Sequence, residues 1–241
     1  MAGGIGTRLS PLTKVTNKHL LPVYDEPMIY KPIKTLTNSG IYDITIVLGG
    51  ESVGDFIKLL GDGSEFNANF NYVYQQGAGG IAEALYLTKK IVKGYKIAVI
   101  LGDNIFENSF SNAVTEFETT KEYGCLLFLK KVPDPERFGV AELNGKGEII
   151  DIEEKPEVPK TDFCVTGLYF YDERIFDIIE DVINNIGYSD RGELEITDVN
   201  NHYIKKGVTK AQIVQGFWSD AGTFRTLLRC STFMEKNIEQ E

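Results

Sequence analysis

The chain has 241 residues, 42% of them apolar and 25% charged, close to the averages of globular domains, which excludes disordered, collagen-like and coiled-coil readings. No apolar run approaches the ~18 residues of a membrane span, and the N-terminus lacks the basic and apolar regions of a secretory signal. With 25 basic against 35 acidic residues the net charge is −10, which disfavours nucleic acid and anionic membranes as partners.

In chain order, apolar spacing over residues 27–39 predicts a helix that stops at Gly40. Residues 44–48 form a β-branched run ending in Gly49-Gly50, the pattern of a buried strand. A second helix around Phe56, Ile57, Leu59 and Leu60 closes at Gly61, and residues 70–75 alternate as a strand. A helix over 81–92, an apolar strand over 97–101, a helix over 109–123 and a strand over 125–129 follow. Strand–helix alternation of this kind implies a mostly parallel sheet with helices on both faces. Residues 139–143 and 148–152 flank Asn144-Gly145-Lys146-Gly147, a hairpin signal. A strand over 165–171, helices over 173–183 and 195–206, a strand over 211–217 and a helix over 223–236 complete the pattern. The fold class is α/β, with antiparallel additions to a parallel core, and one domain is expected over 1–241.

Three glycines in four positions, Gly3, Gly4 and Gly6, let backbone approach a ligand and aim amides at phosphate oxygens. No Gly-Lys-Ser/Thr follows, so this is not a P-loop. Leu9 stands where a dinucleotide fingerprint needs glycine. Arg8 and Lys18 add two cations near the loop and turn it into a candidate anion site. Asp103 ends an apolar strand, where ligands gather in open α/β sheets. It reads either as a turn cap before Asn104 or as an oxygen ligand for Mg²⁺. Asp220 reads either as a helix cap or as a second such ligand. Cys125, Cys164 and Cys230 are too few and scattered for a disulfide framework or zinc site, which fits a reducing, cytoplasmic compartment. The two histidines, His19 and His202, are far apart in sequence and suggest no metal site.

The opening Ala2-Gly3-Gly4-Ile5-Gly6-Thr7-Arg8-Leu9, with Lys18-His19-Leu20-Leu21-Pro22-Val23, resembles the start of the sugar-1-phosphate nucleotidyltransferases. The resemblance continues nearly end to end. It runs through Leu101-Gly102-Asp103-Asn104, Asp134-Pro135-Glu136-Arg137-Phe138-Gly139-Val140, Glu153-Glu154-Lys155-Pro156, Val165-Thr166-Gly167 and Arg191-Gly192-Glu193-Leu194-Glu195-Ile196-Thr197-Asp198. The later motifs resemble the thymidylyl branch.

The resemblance implies a Rossmann-like nucleotidyltransferase fold, residues 1–130 mainly binding nucleotide and 131–241 mainly binding sugar phosphate. It implies an enzyme joining dTTP to glucose 1-phosphate with Mg²⁺, its product feeding deoxysugar and polysaccharide synthesis. Alternatives are the same chemistry with UTP, or a catalytically dead relative that binds nucleotide-sugars. Gly3, Gly4, Gly6, Thr7, Arg8, Gln75, Gly80 and Asp103 match the nucleotide-binding positions. Gly139, Glu154, Lys155, Val165, Thr166 and Gly167 match the sugar-phosphate positions. Arg8, Lys18, Asp103 and Lys155 match catalytic positions, and Asp103 with Asp220 the magnesium pair. Phe138 stands where many members carry Tyr, and Gln76-Gly77-Ala78-Gly79 departs from the Pro-rich loop of common bacterial members. Family members are dimers or tetramers, so a homo-oligomer is expected. They also carry an apolar strand directly before the glycine loop. The expectation is therefore that this numbering begins inside a slightly longer protein, or that truncation damages the chain.

Overall fold

The computed structural model describes residues 1–4 and 6–238; Ile5, in the glycine-rich motif, lies outside them. Two short strands, β1 (Pro22–Val23) and β2 (Glu26–Pro27), pair ahead of helix α1 (Tyr30–Asn38). Strand β3 (Asp43–Gly49) crosses over through α2 (Val53–Leu60) to β4 (Asn69–Gln75), with which it pairs in parallel. The helix expected over 81–92 is two, α3 (Ile81–Leu87) and α4 (Lys89–Val92). The break falls at Thr88, whose hydroxyl donates to the Leu85 carbonyl at 2.7 Å and so competes with the helical ladder. Then come β5 (Ile97–Ile100), β6 (Asn104–Phe106), α5 (Ser111–Thr119), β7 (Cys125–Lys131), β8 (Gly139–Leu143), β9 (Ile149–Glu154) and β10 (Phe163–Tyr171). Helices α6 (Ile175–Asn185) and α7 (Ile196–Lys205), strands β11 (Thr209–Ile213) and β12 (Trp218–Asp220), and helix α8 (Phe224–Ile238) end the order.

Contacts group these elements into two compact units. The first comprises Met1–Ala78, Leu101–Val114 and the chain from Gly216 onward; the second comprises Gly79–Ile100 and Thr115–Gln215.

In the first unit, Ala2 bridges Leu48 of β3 in parallel, its amide donating to the Val47 carbonyl at 2.7 Å. The Gly102 amide donates to the Met1 carbonyl at 2.8 Å, so the start of the chain lies against the segment that carries Asp103. β6 and β12 pair antiparallel, with Asp220 opposite Asn104. Beneath this pair Val23, Met28, Ile105, Ala221 and Cys230 form a buried apolar cluster, covered by Phe217, Leu227 and Met234. Burial of that cluster anchors the strand ends on which the acidic residues sit.

The second unit is organised by β10. It takes antiparallel neighbours in β5, β7 and β8, while β9 extends β8 and β11 joins β7 in parallel. Eight of the nine residues of β10 are buried, as are the first five of β7, which accounts for their largely apolar composition. The mixed α/β architecture expected from the sequence is present, with a larger antiparallel share. Among the described strands only β3–β4 and β7–β11 pair in parallel. The strand–helix alternation could not reveal this, because a strand buried on both faces looks alike in either sense.

Candidate functional site

The glycine-rich loop is held from outside. Thr13 Oγ1 donates to the Gly6 carbonyl at 3.0 Å, and Asn17 Nδ2 to the Gly4 carbonyl at 3.5 Å. Gly6 has φ +73°, left-handed backbone in which a side chain is strained. A Cβ there would also meet Lys18 Cβ at 2.8 Å. After it Thr7, Arg8 and Leu9 form a 3₁₀ turn, with Leu9 buried and Arg8 exposed.

Lys18 lies over this loop: its Nζ is 3.7 Å from the place of a Cβ on Gly4. It sits on a 3₁₀ turn, Lys18–Leu20, capped by Asn17, whose Oδ1 accepts from the His19 amide at 3.0 Å. The turn aims Lys18 at Asp103, and Lys18 Nζ donates to Asp103 Oδ2. Asn104 Nδ2 donates to Asp103 Oδ1 at 3.1 Å, and is itself fixed by Trp218 Nε1 donating to Asn104 Oδ1 at 2.8 Å. Burial raises the pKa of Asp103, but the charge of Lys18 and the hydrogen bonds from Lys18 and Asn104 outweigh it. The carboxyl is held well below the usual carboxylate range.

The β6–β12 register brings Asp220 beside Asp103. A Cβ on Gly222 would lie 2.9 Å from Arg8 Nη2, 2.9 Å from Asp220 Oδ2 and 3.5 Å from Asp103 Oδ2. One cation and two carboxylates thus converge on a single point that only glycine leaves open. Among the described residues no group of three or more His, Cys, Asp or Glu could hold a metal. Two carboxylates nevertheless suit a hard ion that completes its shell from water and phosphate oxygens. Lys18 stands against Asp103 as a cation would. The donor set therefore fits Mg²⁺.

Gln75 is the last residue of β4, as the strand expected over 70–75 implies, and is buried. Gly3 makes room for it, since a Cβ there would meet Gln75 Oε1 at 2.9 Å.

The second unit carries Gly80, Gly139, Glu154, Lys155, Val165, Thr166 and Gly167. Gly139 pairs with Glu154 across β8 and β9. Glu154 Oε2 accepts from Thr197 Oγ1 at 2.7 Å, and its Oε1 from Arg191 Nη2 at 3.4 Å. A Cβ on Gly139 would approach both Glu154 Oε2 and Thr197 Oγ1 to 3.4 Å, so glycine keeps the carboxylate accessible. Lys155 pairs with Glu154 at 3.3 Å and has φ +46°. A non-glycine residue held in this region stores strain, a frequent mark of functional positions. Val165, Thr166 and Gly167 lie on β10, where its register against β7 shifts between Val165 and Tyr169. The Thr166 hydroxyl is fully buried without a hydrogen-bond partner, which marks it as a group awaiting one.

Three contributors escape the sequence reading. Arg191 and Thr197 belong to a motif that the sequence singles out, yet nothing in it says that they reach Glu154. His19 carries no site signal in the sequence. It is buried, and its Nδ1 contacts Asn17 Oδ1 at 2.7 Å. Burial lowers its pKa well below 6.5, and the Lys18 charge adds to this against the attraction of Asp103.

The sign of this shift gives a testable outcome. The unfolded chain protonates His19 as pH falls through about 6.5, whereas the folded chain does not. Stability from this site is therefore full above that pH and falls below it by up to about 1.4 kcal/mol per pH unit. Urea unfolding at pH 7.5 and 5.5 should show the loss, and His19→Gln should flatten it. An equal pH slope in the variant would contradict the assignment.

A sequence model of the nucleotidyl transferase family matches residues 1–237. The glucose-1-phosphate thymidylyltransferase of Neisseria meningitidis is 40% identical over 99% of this chain and 83% of its own. That of Mycolicibacterium smegmatis is 39% identical over 97% and 80%. A crystal structure from Bacillus anthracis, provisionally assigned as a glucose-1-phosphate thymidylyltransferase and holding sucrose, superposes with TM-score 0.89 and 48% identity, covering 96% of this chain and 92% of that one. A UDP-glucose pyrophosphorylase complexed with UDP-glucose superposes with TM-score 0.82 and 25% identity, covering 98% and 97%. The chain belongs to the nucleotidyl transferase family, and it is an enzyme of the sugar-nucleotide-forming kind. No helix among the described residues is long and apolar enough to cross a membrane.

Proposed function

We propose that the chain transfers the thymidylyl group of dTTP to glucose 1-phosphate, giving dTDP-glucose and pyrophosphate. The observation that carries this is the convergence of Arg8, Asp103 and Asp220 on Gly222, in a chain whose relatives of that name match nearly its whole length. A phosphate oxygen of the sugar attacks the α-phosphorus in line and pyrophosphate leaves. The attacking group is already an anion, so no strong base is needed. The obstacle is the meeting of two polyanions, and catalysis is charge neutralisation and positioning.

Arg8, Lys18 and the amides of Gly3, Gly4, Gly6 and Thr7 receive the triphosphate. Asp103 and Asp220 would hold Mg²⁺, which when bound neutralises phosphate charge. Lys18 leaves Asp103 for the α-phosphate as the nucleotide enters. Lys155 binds the sugar phosphate, Glu154 accepts from sugar hydroxyls, and Gly139, Val165, Thr166 and Gly167 surround the hexose. Gln75 reads the pyrimidine edge, aided by backbone near Gly80, since its amide offers both a donor and an acceptor. A dimer or tetramer in the cytoplasm completes this reading.

The second reading is the same reaction with UTP, which the fold shared with a UDP-glucose complex favours. Rates with dTTP and UTP side by side decide between them. Gln75→Leu should reduce the preference for dTTP over dATP by about tenfold or more, because a polar group matched to a base edge rejects bases that leave it unpaired. Unchanged selectivity would place base reading elsewhere.

A further inference from the structure

The segment following α6 touches two loops at once. Leu194 is fully buried. Its amide donates to the Gly79 carbonyl at 2.8 Å, and its carbonyl accepts from the Ala82 amide at 3.3 Å. Gly80, with φ +94°, permits this clasp, since a Cβ there would meet the Leu194 carbonyl oxygen at 2.5 Å. A second tie lies a few residues earlier: Tyr188 Oη donates to Glu83 Oε2 at 3.1 Å. Glu83 in turn covers Gly79, where a Cβ would meet its Oε2 at 2.1 Å. On its other side the same segment holds the sugar-phosphate carboxylate. Arg191 Nη2 donates to Glu154 Oε1 at 3.4 Å and to Glu195 Oε1 at 2.7 Å, and Ser189 Oγ donates to Glu195 Oε1 at 2.7 Å. The segment is stiffened by its own turn, Gly192 donating to Ser189 and Ser189 to Glu193, at 2.8 and 2.9 Å.

The geometry points to residues 188–195 as a strap that couples nucleotide binding to sugar-phosphate binding, with Tyr188 and Glu83 as its positioning residues. The inference rests on the proposed reaction, in which Gly80 lies near the base and Glu154 near the sugar. Nucleotide settling against residues 79–83 bears on the strap through its ties to Leu194 and Tyr188. The strap passes this on through Arg191 and Glu195 to Glu154, which faces the sugar. Because linkage is reciprocal, sugar phosphate must tighten the nucleotide by the same factor. Tyr188 is 52% exposed, so removing its hydroxyl takes away the tie without opening the core.

Calorimetry of glucose 1-phosphate binding, with and without saturating α,β-methylene dTTP and magnesium, measures the coupling factor. In Tyr188→Phe it should fall by about fivefold, with the affinity for glucose 1-phosphate alone unchanged. Glu83→Ala should do the same, and the double variant should be no worse than either single one, as expected for one shared contact. A merely structural role would lower the melting temperature and both affinities together. A coupling factor of one in the unaltered chain, or one that survives both substitutions, overturns the strap. Failure of the unaltered chain to bind glucose 1-phosphate at all would instead overturn the functional reading beneath it.

Discussion

Asp103→Asn should lower turnover by at least about a hundredfold, or about 3 kcal/mol of transition-state stabilisation, the scale of losing one electrostatic group at a reacting phosphate. Asp103 is ionised at any working pH. Its depressed pKa means that its contribution to stability is present above 3.8 and lost only as pH falls through the lower folded value. The substitution also strands Lys18, since the side chains of the pair are only 13% and 11% exposed. Leaving one partner of a buried pair uncompensated costs up to about 3–5 kcal/mol, so the melting temperature should fall as well. The two effects are told apart by assaying the Asp103→Asn variant well below its melting temperature, where the chain is folded: turnover should stay low there even at saturating magnesium. Near-normal turnover of the folded variant would mean that Asp103 serves only the fold.

Lys155→Ala should weaken the use of glucose 1-phosphate by at least about tenfold while sparing the nucleotide, since a charge-assisted contact to phosphate contributes roughly 1.5–3 kcal/mol. Lys155 suits this role because its side chain is 46% exposed and its carboxylate partner Glu154 is shared with Arg191 and Thr197. Little stability should be lost, because an exposed ion pair contributes about 0–1 kcal/mol. Alanine at φ +46° is strained, so Lys155→Gly serves as the second variant and should give the same loss of sugar specificity. Steady-state kinetics that vary each substrate in turn check the result. A change confined to the nucleotide would mean that Lys155 faces the wrong ligand.

Much of this was readable from residue order, and the limits have physical causes. Apolar runs such as Leu126, Leu127 and Phe128 mark strands directly, because burial on both faces leaves no polar positions. The three-residue strands β6 and β12 leave no such signature, and β12 lies just past the strand expected over 211–217. Yet their register is what sets Asp220 beside Asp103. Asp103, Lys18 and Arg8 could be suspected as charges in apolar or glycine-rich surroundings. That Gly222 keeps the meeting point of Arg8, Asp103 and Asp220 open could not, since it depends on residues more than a hundred positions apart. His19 looked idle because a histidine with no sequence neighbour to bind gives no sign that it will pack beside the Lys18–Asp103 pair. Arg191 and Thr197 were visible as part of a motif, but their partner Glu154 lies on another strand. The break at Thr88 turned on a side-chain hydrogen bond that helical spacing does not encode.

Transfer of the thymidylyl group releases pyrophosphate, and that release can be followed as it occurs. With glucose 1-phosphate, dTTP and magnesium the chain should release one pyrophosphate for each dTDP-glucose formed. Release should stop when glucose 1-phosphate is omitted or the magnesium is chelated, and should be slower with UTP. Binding of both substrates without pyrophosphate release would contradict the account and leave a nucleotide-sugar-binding protein in its place.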